Sequence, residues 1–175
     1  MTQGQRRVLP VWLGASLGLA MSVATQAQAD LRYPLTAGVY RFDGRCVEFR
    51  DSISDHLAFC SNSLGIITAT PELPEFYFMT ADRKAWVFPT KKLKKVANDG
   101  RHAEFTIVNF MELATGTVYK FSGDCTLDLD QSNLRVACQA RVGKKIVRNA
   151  VFESAGTFVF SRGETAQGGD GKKSQ

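Results

Sequence analysis

An all-β fold, an antiparallel sandwich or small barrel built from two related halves, is what this chain predicts, on three observations. The segment Tyr119 to Cys138, YKFSGDCTLDLDQSNLRVAC, reads as a β-hairpin closed by a disulfide, and a looser copy stands at Tyr40 to Cys60, YRFDGRCVEFRDSISDHLAFC. Strand-like runs recur every ten residues or so between turn signals, and no helical period is evident beyond the first thirty residues.

The later hairpin fixes its own register. Pairing Cys125 with Cys138 sets Leu127 opposite Val136 and Leu129 opposite Leu134, leaving Gln131 and Ser132 as the turn. Strict alternation then places all six of those paired residues on one apolar face, with Asp128, Asp130 and Arg135 on the other. In the earlier copy Tyr40, Phe42, Gly44 and Cys46 match Tyr119, Phe121, Gly123 and Cys125, so both read Y-[RK]-F-x-G-x-C. The matched frame suggests duplication of a β unit, with repeats at 38–60 and 117–138. In the first copy, however, a simple hairpin puts Cys46 and Cys60 on the polar face with Glu48, Arg50 and His56. Val47 and Phe49 would face Phe59 and Leu57. One extra residue in a β-bulge reverses side-chain phase and would reconcile the two copies.

The other elements follow in order. Residues 1–29 read as a signal peptide: Arg6 and Arg7 precede a mainly apolar run from Val8 to Val23, and Ala27-Gln28-Ala29 fits a small-x-small cleavage site. Residues 30–160 form one domain, beginning with a lead-in that contains Pro34. Strands are expected over Gly38 to Phe42, Leu64 to Thr70, Phe76 to Thr80 and Ala85 to Phe88. Lys94 to Ala97 and Ala103 to Leu113 flank the turn signal Asn98-Asp99-Gly100. Thr115 to Phe121 leads into the second hairpin, and Ile146 to Phe152 and Gly156 to Phe160 complete the set. Ser161 to Gln175, rich in Gly, Lys, Gln and Ser, reads as a disordered tail.

Export bears on the cysteines and the charge. Four cysteines in an oxidising compartment favour two disulfides, and the hairpins favour Cys46–Cys60 and Cys125–Cys138. The formal net charge is +5; losing Arg6 and Arg7 leaves 20 basic and 17 acidic residues, or +3. That is too weak for a nucleic-acid face. The expected location is periplasmic or secreted, with no membrane-spanning segment after the leader.

Two surfaces are candidates for binding. Phe76, Tyr77 and Phe78 are consecutive, with Trp86 and Phe88 across a turn, which suggests an apolar ligand pocket, a protein-binding patch or a doubly buried strand. Lys91, Lys92, Lys94 and Lys95 form a basic loop able to dock an acidic partner, or else a solvated or charge-protected edge. Enzyme chemistry finds little footing, with two histidines and neither G-x-S-x-G nor H-E-x-x-H present. His56 is expected near Glu48 and Arg50. Asp124, Asp128 and Asp130 are too regularly spaced to wrap calcium. No catalytic residue, metal or cofactor is expected. A small exported β protein with a cysteine-closed hairpin is similar in general format to bacterial lysozyme inhibitors, although none of their inhibitory motifs matches residues here. The expectation is a non-enzymatic envelope protein that binds another protein, an inhibitor for example, with a carrier of a small apolar ligand as the alternative.

Overall fold

The computed structural model describes residues 31–162, apart from Pro71, Arg83, Gln131, Ser132, Gly156 and Thr157. Residues 1–30, where a signal peptide is expected, and the residues after 162, expected as a tail, lie outside this range. Ten strands fold into one curled antiparallel sheet: β1 (Gly38–Asp43), β2 (Arg45–Asp51), β3 (Cys60–Thr68), β4 (Pro74–Thr80), β5 (Ala85–Val96), β6 (His102–Glu112), β7 (Thr117–Asp130), β8 (Asn133–Val142), β9 (Lys145–Ala155) and β10 (Phe158–Ser161). Their order in the sheet is β10-β1-β3-β4-β5-β6-β7-β8-β9-β2. Ser161, expected in the tail, is therefore the last residue of a strand.

Gly44 explains how the sheet meets itself. It joins β1 to β2, and its N–H donates to Asn62 O at 2.9 Å. On one side β1 pairs with β3, and on the other with β10, while β2 pairs with β9. The bent β1–β2 line thus lies against β3 and β10 through β1 and against β9 through β2, and the sheet curls into a half-barrel. A Cβ at Gly44 would collide with the carbonyl oxygen of Glu153, and one at Gly123 with that of Gln139. Both glycines of the repeated motif therefore allow a neighbouring backbone to come unusually close, though on opposite sides of their strands.

The second hairpin has the register its sequence implies, with Cys125↔Cys138, Leu127↔Val136, Leu129↔Leu134 and Asp130↔Asn133. Its disulfide joins directly opposed residues whose Cα atoms are 4.1 Å apart. The first copy departs from its expected form. Beyond Gly44, β2 leaves β3 and pairs with β9, so Val47 and Phe49 do not face Phe59 and Leu57 across a ladder. The Cys46–Cys60 disulfide holds β2 and β3 together where they are not laddered. A register shift between Cys46 and Glu48 makes Val47 an extra residue. That bulge turns Cys46 and Phe49 toward the same interior, where both pack on the core.

The interior is filled mainly by aromatic rings. Phe88 packs edge-on against Phe78 and Phe110, with centroids 5.5 Å and 5.3 Å away. Phe76 meets Phe105 at 5.8 Å, and Phe105 meets Tyr33 at 5.4 Å. Tyr33 and Leu35 of the lead-in are buried and cover one end of the barrel. Tyr33 N donates to Gly100 O at 2.7 Å and its hydroxyl to Glu72 O at 2.8 Å. At the other end lie the β2–β3, β4–β5, β6–β7 and β8–β9 connections, and this end is open.

Candidate functional site

Alternation along β4 and β5 decides the fate of the aromatic group. Phe76, Phe78 and Phe88 point inward and are fully buried, so they are core side chains and form no exposed patch. Tyr77 points outward, its hydroxyl donating to Glu75 Oε2 at 2.8 Å. Burial, followed by that carboxylate, pushes its pKa up to about 12. Trp86, at the open end, is the member of the group that reaches a cavity wall.

That cavity, about 220 Å³, is the mouth of the barrel. Arg148 and Phe49 reach it from β9 and β2, and Arg148 stacks over Trp86 and Phe110, 5.2 Å and 5.4 Å from their centroids. Its Nε is buried without a hydrogen-bond partner among the described residues. Asp51 Oδ2 lies 3.8 Å from Arg148 Nη1 and 2.9 Å from His56 Nε2. Asp51 Oδ1 accepts from the N–H groups of Ile53 and Ser54 at 2.7 Å and 2.8 Å. Burial pushes the Asp51 carboxyl up, but His56, these two N–H groups and Arg148 outweigh it and hold its pKa at about 2. His56 pairs with Asp51 rather than with Glu48 or Arg50, although its N–H donates to Phe49 O at 2.8 Å and Asp55 forms an isolated β-bridge with Arg50. Three of the four acceptor directions of Asp51 serve the 52–59 loop, so its evident work is to fasten that loop.

The acidic residues of β7 separate onto different side chains. Asp124 meets Lys94 Nζ at 3.0 Å and Arg141 Nη1 at 2.9 Å, Asp128 meets His102 Nδ1 at 2.5 Å, and Asp130 meets Arg101 Nη1 at 3.3 Å. His102 Nε2 also lies 3.2 Å from Glu104 Oε1. The hydrogen bond to Asp128 raises the His102 pKa, burial opposes it, and Glu104 adds to the rise. Among the described residues no group of three or more His, Cys, Asp or Glu side chains is placed to hold a metal ion.

Lys91, Lys92, Lys94 and Lys95 belong to strand β5, not to a loop. The β4–β5 ladder ends at Glu75↔Pro89, so residues 90–96 pair with β6 alone. Shifts between Thr90 and Lys92 and between Leu93 and Lys95 make Lys91 and Lys94 the extra residues of two bulges. Lys92 and Lys95 pair with the outward-facing Thr106 and Glu104. The bulges thus let four lysines stand exposed within five residues while Leu93 still packs on the core. Lys94 bonds to Asp124; Lys91, Lys92 and Lys95 have no ion pair among the described residues. Beside this half-paired segment runs a groove of about 380 Å³, walled by Leu93 and Val96 on one side and Tyr33, Pro34 and Glu72 on the other.

The exposed apolar residues of the open end, Ile53, Leu57 and Phe59 above all, escaped the sequence reading. Their signal was present as three large apolar residues in a segment dense in Ser and Asp, but the assumed hairpin gave Leu57 and Phe59 inward places. Leu57–Phe59 is instead one 3₁₀ turn with no buried residue. Arg148 was missed too, although it shares its strand phase with the buried Ala150 and Phe152. Among the described residues no helix is long and apolar enough to cross a membrane. Comparison with protein-family models, with curated proteins and with solved structures gives no match to this chain.

Proposed function

We propose that this chain is a non-enzymatic binding protein of the periplasm or extracellular space that takes an acidic, extended segment of another protein along the outer edge of β5. One observation carries the reading: residues 90–96 are paired on one side only and bear four exposed lysines, three of them without an ion pair among the described residues. An added strand would gain main-chain hydrogen bonds from the unpaired edge. Its carboxylates would meet the lysines, which speed encounter and reject basic competitors. Lysines on an edge also discourage a second copy of the same edge from pairing. The two disulfides suit an oxidising compartment. Packing in the interior disfavours the carrier alternative, since an apolar ligand near Phe76, Phe78 and Phe88 would have to displace rings already touching one another.

The test compares capture from an envelope extract by the immobilised protein and by its Lys91→Glu, Lys92→Glu, Lys95→Glu variant. Lys94 is spared because it is tied to Asp124. Wild type is expected to retain a partner that salt releases, because exposed charges are screened beyond about 8 Å at physiological ionic strength. The variant is expected to retain none. Equal capture by both proteins would refute the reading.

A further inference from the structure

The open end of the barrel carries a second surface, independent of the lysine strand. Its β2–β3 loop exposes Ile53 at 91%, Phe59 at 63% and Leu57 at 40%. The β6–β7 turn adds Leu113, and Val142 and Ile146 flank the β8–β9 turn, all exposed. Asp51 pairs with Arg148 at the end of the β2–β9 ladder, so the β2–β3 loop and the β8–β9 turn leave the sheet side by side. Ile146 also lines a cavity with Arg50, Asp51 and Arg148. Lys144 and Lys145 project from the same turn, between Val142 and Ile146, with no ion pair among the described residues.

The loop is held in place rather than loosely tethered. The Cys46–Cys60 disulfide closes its base. Asp51 Oδ1 accepts from Ile53 N and Ser54 N, Asp51 N donates to Ser54 O at 3.0 Å, and Asp55 Oδ1 accepts from Leu57 N at 2.8 Å. The acidic groups of this end are largely spent on its own turns: Asp51 and Asp55 as described, and Asp82 on Thr80 and Lys84. What faces outward is apolar tips with lysines beside them.

We propose that this end docks on an anionic membrane surface, Ile53, Phe59, Val142 and Ile146 entering the headgroup boundary while Lys144 and Lys145 meet lipid phosphates. Apolar anchors on two separate connections of one rim, with Leu113 exposed on a third, suit a broad, deformable surface better than a single cleft, and the basic turn supplies charge complementarity. Main-chain N–H groups of Ile53, Ser54 and Leu57 are taken up by Asp51 and Asp55, and those of His56 and Phe59 by carbonyls, which lowers the cost of entering a less polar layer. Docked this way, the barrel would stand on its open end with the β5 edge on its side wall.

The experiment is co-sedimentation of the protein, purified after export, with vesicles of phosphatidylglycerol mixed with phosphatidylcholine, against vesicles of phosphatidylcholine alone. Wild type is expected to sediment with the anionic vesicles only. Lys144→Gln with Lys145→Gln should weaken binding roughly 30-fold, about fivefold per lysine lost near a charged surface. Ile53→Ser with Phe59→Ser should abolish it, and both residues are exposed, so the barrel is left intact. The Lys91→Glu, Lys92→Glu, Lys95→Glu variant should bind vesicles as wild type does. The proposal is overturned if wild type ignores the anionic vesicles, if the Ile53/Phe59 variant binds equally well, or if loss follows the β5 lysines. Loss of protein capture in the Ile53/Phe59 variant, with no vesicle binding by wild type, would identify the end as a protein contact instead.

Discussion

Replacing Phe88 by alanine tests whether the barrel is a filled core or a container. The ring is fully buried and packs edge-on against Phe78 at 5.5 Å and Phe110 at 5.3 Å. Three effects add in the loss: transfer of the ring from the apolar interior, two aromatic pairs worth about 0.5–1.5 kcal/mol each, and the cavity left behind. In a packed interior such a deletion costs about 3–5 kcal/mol. For a domain of this size that is a fall in Tm of roughly 10–20 °C. Urea unfolding of the oxidised protein gives the free energy, and differential scanning calorimetry gives Tm. An unchanged m-value would place the loss in the native state. A loss under about 1 kcal/mol would mean that the ring borders free space. The interior would then be a ligand chamber, and the argument against the carrier alternative would fail.

Other predictions concern the joints, the loop and the titrating pairs. Gly44→Ala and Gly123→Ala should each destabilise by about 2–3 kcal/mol, since the new Cβ meets a backbone carbonyl rather than a side chain that can move away; values near zero in chemical denaturation would contradict the close approach. Removing Cys46 and Cys60 together, as Ala, should cost about 2–4 kcal/mol and speed amide exchange in 52–59; unchanged exchange there would show that the hydrogen bonds alone hold the loop. Asp51, with its pKa at about 2, contributes stability that is complete above its unfolded pKa of about 4 and is lost as pH falls toward 2. Asp51→Asn should flatten the stability profile over that window, and a profile unchanged by the substitution would refute the assignment. His102 has the opposite sign: its raised pKa contributes stability that is complete below about 6.5 and lost as pH rises through the folded value. Both His102 and Asp128 are over a third exposed, so His102→Gln should remove only a few tenths of a kcal/mol, seen by comparing stability at mildly acidic and mildly alkaline pH.

What the sequence made legible was whatever local alternation determines. The second hairpin is antiparallel along its whole length, so the face of Leu127 and the partner of Cys125 followed from period two alone. The first copy was not legible in the same way because its ladder partner, β9, lies a hundred residues away. Once β2 pairs with Phe152 and Ala150 rather than with its neighbour, the phase of Cys46 depends on the bulge at Val47. The bulge could be named as a remedy, but its place could not. The lysine segment reads as either a loop or a charge-protected edge for a related reason. A run such as KKLKK breaks alternation and looks like a loop, yet two bulges absorb the excess residues and keep it in a strand. Alternation sends Phe76 and Phe78 into the core and Tyr77 to the outer face, so the strand is buried on one face rather than on both, and which face is the core depends on how the sheet curls. Ile53 and Phe59 stood out as large apolar residues in a polar segment, but their grouping with Val142 and Ile146 depends on which connections gather at one end.

Amide hydrogen exchange across residues 90–96, with and without the captured acidic partner, tests the central claim most directly. In the free protein the amides of this segment that do not bond to β6 should exchange quickly. On binding they should become protected, as an added strand takes them up. Protection confined to other parts of the molecule, with 90–96 unchanged, would contradict the account.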